Sequence, residues 1–118
     1  MCLRDCRYPI RASEAKRSVR RTLVTGATGF LGSAVVRVLL RMGETVRVLV
    51  RPKSVKNNIN GLNIEVYEGD LRNPASLFDA CHGCYALYHV AADYRLWTRN
   101  PQVLYQTNVD GTRAIMRA

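Results

Sequence analysis

Thr25-Gly26-Ala27-Thr28-Gly29-Phe30-Leu31-Gly32 is the stretch on which the reading of this chain turns. It follows a short apolar, β-branched run, Arg21-Thr22-Leu23-Val24-Thr25, and it opens a segment with helical periodicity from residue 30 to residue 42, ended by Gly43. The glycine spacing is G-x-x-G-x-x-G, one residue longer than the commoner dinucleotide fingerprint, but the mechanics are the same. Gly26 lets the chain leave the strand in a tight turn, Gly29 removes a side chain where a pyrophosphate must approach, and Gly32 lets the helix lie close. Amide groups at the helix start, at the positive end of its dipole, then face the phosphates. A glycine turn alone is weak evidence. Set between an apolar strand and an amphipathic helix, it is strong.

Working outward, Thr45 to Arg51 reads as a second strand closed by Pro52, and a polar loop with Asn57-Asn58 and Asn60-Gly61 follows. Residues Asn63 to Glu68 alternate as a third strand, and Asn73-Pro74 caps a helix that runs to Cys81. Ala86 to Val90 is a fourth strand, and a last helix is expected from Pro101 onward. This order calls for a parallel sheet with right-handed crossovers. The expected fold is therefore α/β, the N-terminal half of a Rossmann-type doubly wound parallel sheet with strand order 3-2-1-4. Its ligand should lie at the carboxyl ends, between strands 1 and 4. The expected core is Leu23, Val24, Leu31, Val35, Leu39, Val46, Val48, Val50, Ile64, Val66, Leu77, Leu87 and Val90.

The end of the second strand selects the cofactor. An acid there would bond the ribose hydroxyls of NAD, whereas this chain has Arg51, suited to the 2′-phosphate of NADP, with NAD as the alternative. Asp70, just past the third strand, is placed to accept from an adenine amine, with Leu71 expected on the ring. At the end of the fourth strand, Val90-Ala91-Ala92 leaves room for the middle of a dinucleotide. His89 reads as a satisfied strand histidine rather than a catalyst.

A chain of 118 residues fits one domain, and its 47% hydrophobic and 23% charged content fits a globular one. The formal charge of +9 is concentrated: residues 1–21 carry a net +5, leaving +4 for the rest. A basic tail on a near-ordinary domain argues against a nucleic-acid face. Residues 1–20 contain no apolar signal segment and are expected to be a basic, disordered extension ahead of a dinucleotide-binding domain at 21–118. No apolar run is long enough for a membrane span. Cys81 and Cys84 have redox or half-zinc spacing, but they close a helix at Gly83 rather than opening one. With Cys2 and Cys6 they read as ordinary thiols of a cytoplasmic protein, and no metal is expected.

Together, residues 25–32, Gly69-Asp70-Leu71, His89-Val90-Ala91-Ala92 and Asn108-Val109-Asp110-Gly111-Thr112 resemble the extended short-chain dehydrogenase/reductase family, its NAD-dependent epimerase/dehydratase group. Residues 46–52 and 90–97 are most similar to hopanoid-associated sugar epimerases and dihydroflavonol-reductase-like proteins. The resemblance implies hydride transfer between NADP(H) and a sugar-like or carbonyl small molecule, and a role for Asn108 in steadying the active-site region. It also implies a catalytic Tyr-x-x-x-Lys pair. Tyr8, Tyr67, Tyr85, Tyr88, Tyr94 and Tyr105 are followed four residues later by Ala12, Leu71, His89, Ala92, Thr98 and Val109, none a lysine. No catalytic residue is therefore assigned within the chain. The pair is expected beyond Ala118, so the chain reads as the cofactor-binding portion of an enzyme and as inactive alone. A non-catalytic dinucleotide sensor on the same fold is the rival reading, and a homo-oligomer is possible through the open sheet edge.

Overall fold

The computed structural model describes residues 20–118, so the basic extension expected at 1–20 lies almost wholly outside the described residues. Four strands form one parallel sheet: β1 (Arg21–Thr25), β2 (Thr45–Val50), β3 (Glu65–Glu68) and β4 (Cys84–His89). Their order is β3-β2-β1-β4, as expected. Thr22 pairs with Val46 on one side and Ala86 on the other, and Thr25 with Leu49 and His89. Helix α1 (Phe30–Arg41) joins β1 to β2, and α2 (Pro74–Cys81) joins β3 to β4. Helices α3 (Pro101–Tyr105) and α4 (Gly111–Arg117) flank a π-helical turn, Gln106–Asp110, where the sequence suggested one continuous helix.

Local signals explain most boundaries. α1 ends in a Schellman motif: Gly43 adopts φ 81°, its N–H donates to the Leu40 carbonyl, and the Glu44 N–H donates to the Leu39 carbonyl. At α3, Asn100 accepts from the Gln102 N–H and Pro101 occupies the first turn. At α2, Asn73 occupies the cap position but its side chain makes no capping bond. The Ser76 hydroxyl instead donates to the Asn73 carbonyl.

Core layers lie on both faces of the sheet and bury β1 and β2, while β3 and β4 hold no buried residue, which corrects part of the expected core. One layer gathers Val24, Val36, Leu39, Val46, Val48, Val50 and Ile59, and the other gathers Leu23, Leu49, Leu71, Leu77, Ala80 and Ile115. Val66 is 45% exposed while Tyr67 packs against the second layer. β3 is an edge strand with no buried residue: Glu65, Val66 and Glu68 are exposed and Tyr67 is half-buried, so alternation there does not mark a core face. Leu31 is also exposed, at 63%, with Phe30 at 92%. The face that α1 buries is Gly32, Ser33, Val36 and Leu39, about one residue round from the expected stripe.

Arg47 interrupts the apolar run of β2, yet it is only 8% exposed. Its Nη1 donates to the carbonyls of Ala80 (2.7 Å) and His82 (2.9 Å) at the end of α2, and its Nη2 pairs with Glu65 at 3.0 Å. A guanidinium on the face of β2 that meets α2 thus caps a helix end that would otherwise leave carbonyls buried. Replacing it by an apolar side chain of similar length strands those acceptors. Arg47→Met should lower the stability of the chain by about 2–4 kcal/mol, read from urea unfolding. A loss within about 0.5 kcal/mol would show that the cap contributes little.

Candidate functional site

The carboxyl ends of β1, β2 and β4 converge on the glycine turn. Gly26 sits at φ 71°, in the region that favours glycine, and a Cβ there would lie 2.6 Å from Ala91 N. At Gly32 a Cβ would lie 1.9 Å from the Gly26 carbonyl oxygen. Gly32 therefore seats the helix against the turn itself, and this contact sets the rotational phase of α1. Gly29 differs: a Cβ there meets nothing closer than the Gly26 oxygen at 3.4 Å. The chain itself does not demand glycine at 29, which leaves room for a group outside the fold.

Gly29 is also the residue ahead of α1, with no side-chain cap. The first intrahelical bond runs from Ser33 N–H to the Gly29 carbonyl (3.0 Å). The amides of Phe30, Leu31 and Gly32 precede it and have no carbonyl a turn back to bond. No acidic residue stands in that turn. Three N–H groups at the positive end of a 12-residue helix form an anion cradle that suits a pyrophosphate. Ala27, fully buried, anchors the turn in the core, and Asn58 donates to the Thr28 carbonyl at 2.8 Å. That brace comes from the β2–β3 loop and was not anticipated from sequence.

A second brace ties β1, β4 and α4. The Ala91 N–H donates to Thr25 Oγ1 at 3.2 Å. Thr25 Oγ1 is 2.7 Å from His89 Nδ1, and His89 Nε2 is 3.0 Å from Thr112 Oγ1. A neutral imidazole protonated at Nε2 satisfies this chain: the Thr25 hydroxyl donates to Nδ1, and Nε2–H donates to Thr112. Burial pushes the pKa of His89 down, consistent with the neutral form. The imidazole is thus a satisfied strand histidine.

Asn108 stands in the π-helical turn and grips the loop after β4 with both ends of its amide. It accepts from the Asp93 N–H at 2.7 Å and donates to the Asp93 carbonyl at 2.6 Å. The Arg95 guanidinium forks onto the Asp93 carboxylate. Val90 and Ala91 are half-buried beside the turn, and Ala92 is exposed.

On the other side, Arg51, Pro52, Lys53, Ser54, Asp70 and Arg72 line an open cleft of about 430 Å³. Arg51 is exposed and makes no ion pair among the described residues. Asp70 is held by Arg72: Nη2 lies 2.8 Å from Oδ2, while Nε and the backbone N–H donate to Oδ1 at 3.1 and 2.9 Å. The Arg72 hydrogen bond, with Arg51 nearby, holds the Asp70 carboxyl below its ordinary range. Leu71 departs from expectation. It is 9% exposed and packs in the second core layer with Ile115, so little of its side chain is left to lie against a ring. Cys81 and Cys84 are free, half-buried thiols whose pKa burial pushes up. That is the reverse of a reactive pair. Among the described residues no three metal-ligating side chains come together, and no helix is long and apolar enough to cross a membrane.

A glycine turn and an uncapped helix start at the switch point of a parallel sheet, with a cationic cleft beyond the ends of β2 and β3, define a dinucleotide-type Rossmann site. The family model for the NAD dependent epimerase/dehydratase family matches residues 22–118, and the chain belongs to that family. It is 46% identical over 96 residues to sterol demethylase protein B of Methylococcus capsulatus and 34% identical over 105 residues to dihydroflavonol 4-reductase of Zea mays, covering 81% of this chain in each case. It spans 29% of the length of each of these relatives. A short-chain dehydrogenase/reductase superfamily protein from Agrobacterium tumefaciens, solved with bound NAD, superimposes with a TM-score of 0.69. The identity is 32%, over 83% of this chain and 28% of that one.

Two outcomes test the site. Gly29→Ala should leave thermal unfolding within a few degrees of the parent while weakening dinucleotide binding at least about tenfold, because the new methyl intrudes on the ligand and not on the protein. Gly32→Ala should instead lose the cooperative melt. The reverse pattern would refute the assignment of Gly29 to ligand approach. For His89, the unfolded chain takes up a proton below about pH 6.5, while the folded chain resists it until lower pH. Stability present above pH 6.5 should therefore fall as pH drops below that value, ahead of the carboxylates. His89→Gln should flatten this limb in melts between pH 7 and 5; an unchanged slope would contradict the bridge.

Proposed function

We propose that the chain is the NADP(H)-binding portion of a short-chain dehydrogenase/reductase-type enzyme. The full protein would act by hydride transfer on a sugar-like or carbonyl small molecule. In this reading the turn Gly26, Ala27, Thr28, Gly29, Phe30, Leu31 and Gly32 holds the pyrophosphate, on the amides of Phe30, Leu31 and Gly32. Arg51 meets the 2′-phosphate, the Asp70 carboxylate and the Leu71 backbone meet the adenine, and Val90, Ala91 and Ala92 border the dinucleotide's middle. Asn108 holds the loop beyond them. The bound cofactor would supply the hydride donor or acceptor; the described residues bind and orient it. The acid–base Tyr-x-x-x-Lys pair is absent from this sequence, so the chain by itself is proposed to bind without turning over.

The observation that carries the cofactor reading is Arg51, exposed and unpaired among the described residues, in a cleft with Lys53 and Arg72 at the position where an acid would select NAD. A charge-assisted contact to a phosphate is worth about 1.5–3 kcal/mol, or about 10- to 150-fold in affinity. NADPH should therefore bind more tightly than NADH in parallel fluorescence titrations, and Arg51→Asp should reverse the order. Equal curves for the two cofactors would remove the NADP assignment and leave the dinucleotide site in place.

A further inference from the structure

We propose that Arg72 is a specificity-determining residue of the cofactor cleft, acting by cancelling the charge of Asp70. The proposal rests on the NADPH reading above and extends it to a residue outside the glycine turn and the β2 end. The cleft has one acid in its wall, Asp70, facing Arg51, Lys53 and Arg72. Asp70 stays ionised at neutral pH, because Arg72 and Arg51 favour its charged form. A phosphate monoester carries about −1.5 to −2 at pH 7. It would meet that carboxylate across a cleft of only about 430 Å³, well within a Debye length of about 8–10 Å. A wall bearing a bare carboxylate would penalise NADPH and leave NADH, with its ribose hydroxyl, little affected.

Arg72 removes the penalty. It clasps both carboxylate oxygens, at 2.8 Å to Oδ2 and 3.1 Å to Oδ1, and among the described residues its guanidinium has no other protein partner. With Arg72 the wall holds three cations against one anion, a net +2; without it the net is +1. The clasp is local in sequence, and a β-turn keeps the two residues together: the Asn73 N–H donates to the Asp70 carbonyl at 2.8 Å. Asp70 can thus serve an adenine amine, present in both cofactors, while its charge is hidden from the phosphate found in only one.

The test measures dissociation constants for NADPH and NADH on the 118-residue chain and takes their ratio, so that effects common to both cofactors cancel. Arg72→Met should lower the preference for NADPH about five- to tenfold, mostly through weaker NADPH binding. Adding Asp70→Asn to Arg72→Met restores the net charge, so the double variant should return the ratio to within about twofold of the parent, even if both cofactors bind more weakly. Arg72→Lys, which keeps the charge without the fork, should hold the ratio within about twofold and guards against a folding defect in the methionine variant. An unchanged ratio in Arg72→Met, or a fall that the double variant fails to reverse, would overturn the proposal. A parent ratio near one would instead overturn the NADPH reading, and this inference with it.

Discussion

The close approach of Gly26 to Ala91 is the constraint on which the site depends. The end of β1 and the end of β4 come so near that a single methyl group on residue 26 would collide with the Ala91 backbone. The approach fixes where β1 stops, forces the left-handed turn, and sends α1 away from the switch point with its first amides facing outward. Thr25, His89 and Thr112 then hold the approach in register, since one imidazole reaches both the strand end and α4. Backbone geometry and a short hydrogen-bond chain thus create the anion cradle, with no charged side chain in it.

Electrostatics divide the site into two parts. The cradle attracts phosphate through amide dipoles, which any dinucleotide can use. The cleft beside it distinguishes ligands through point charges: Arg51, Lys53 and the Arg72–Asp70 pair. A little over half of the chain's net charge, +5 of +9, is carried by residues 1–21.

The glycine turn and the strand order were legible in the sequence because each follows from a local necessity. A left-handed turn and a close approach need glycine, and parallel strands need intervening helices. The phase of α1 was not legible. It depends on Gly32 lying against the Gly26 carbonyl, a contact absent from any hydrophobic count, and so Leu31 stands in the expected core although it is exposed. The burial of Arg47 carries no local signal, because its partners, Ala80 and His82, are more than 30 residues away. Leu71 was expected on a ligand and instead packs against Ile115, since the later helix that covers it had no visible register. Asp70 was flagged by position and Asn108 by the family resemblance, but their partners, Arg72 and the Asp93 backbone, came only with the structure.

The function of the glycine turn depends on phosphate meeting the uncapped start of α1. The most direct measurement is a titration of the ¹⁵N-labelled chain with NADPH, following backbone amide resonances. The predicted result is that Phe30, Leu31 and Gly32 shift together and earliest, with Ala91 and Arg51 following the same binding curve. Saturable binding that leaves those three amides unmoved, with shifts confined to other parts of the sheet, would contradict it.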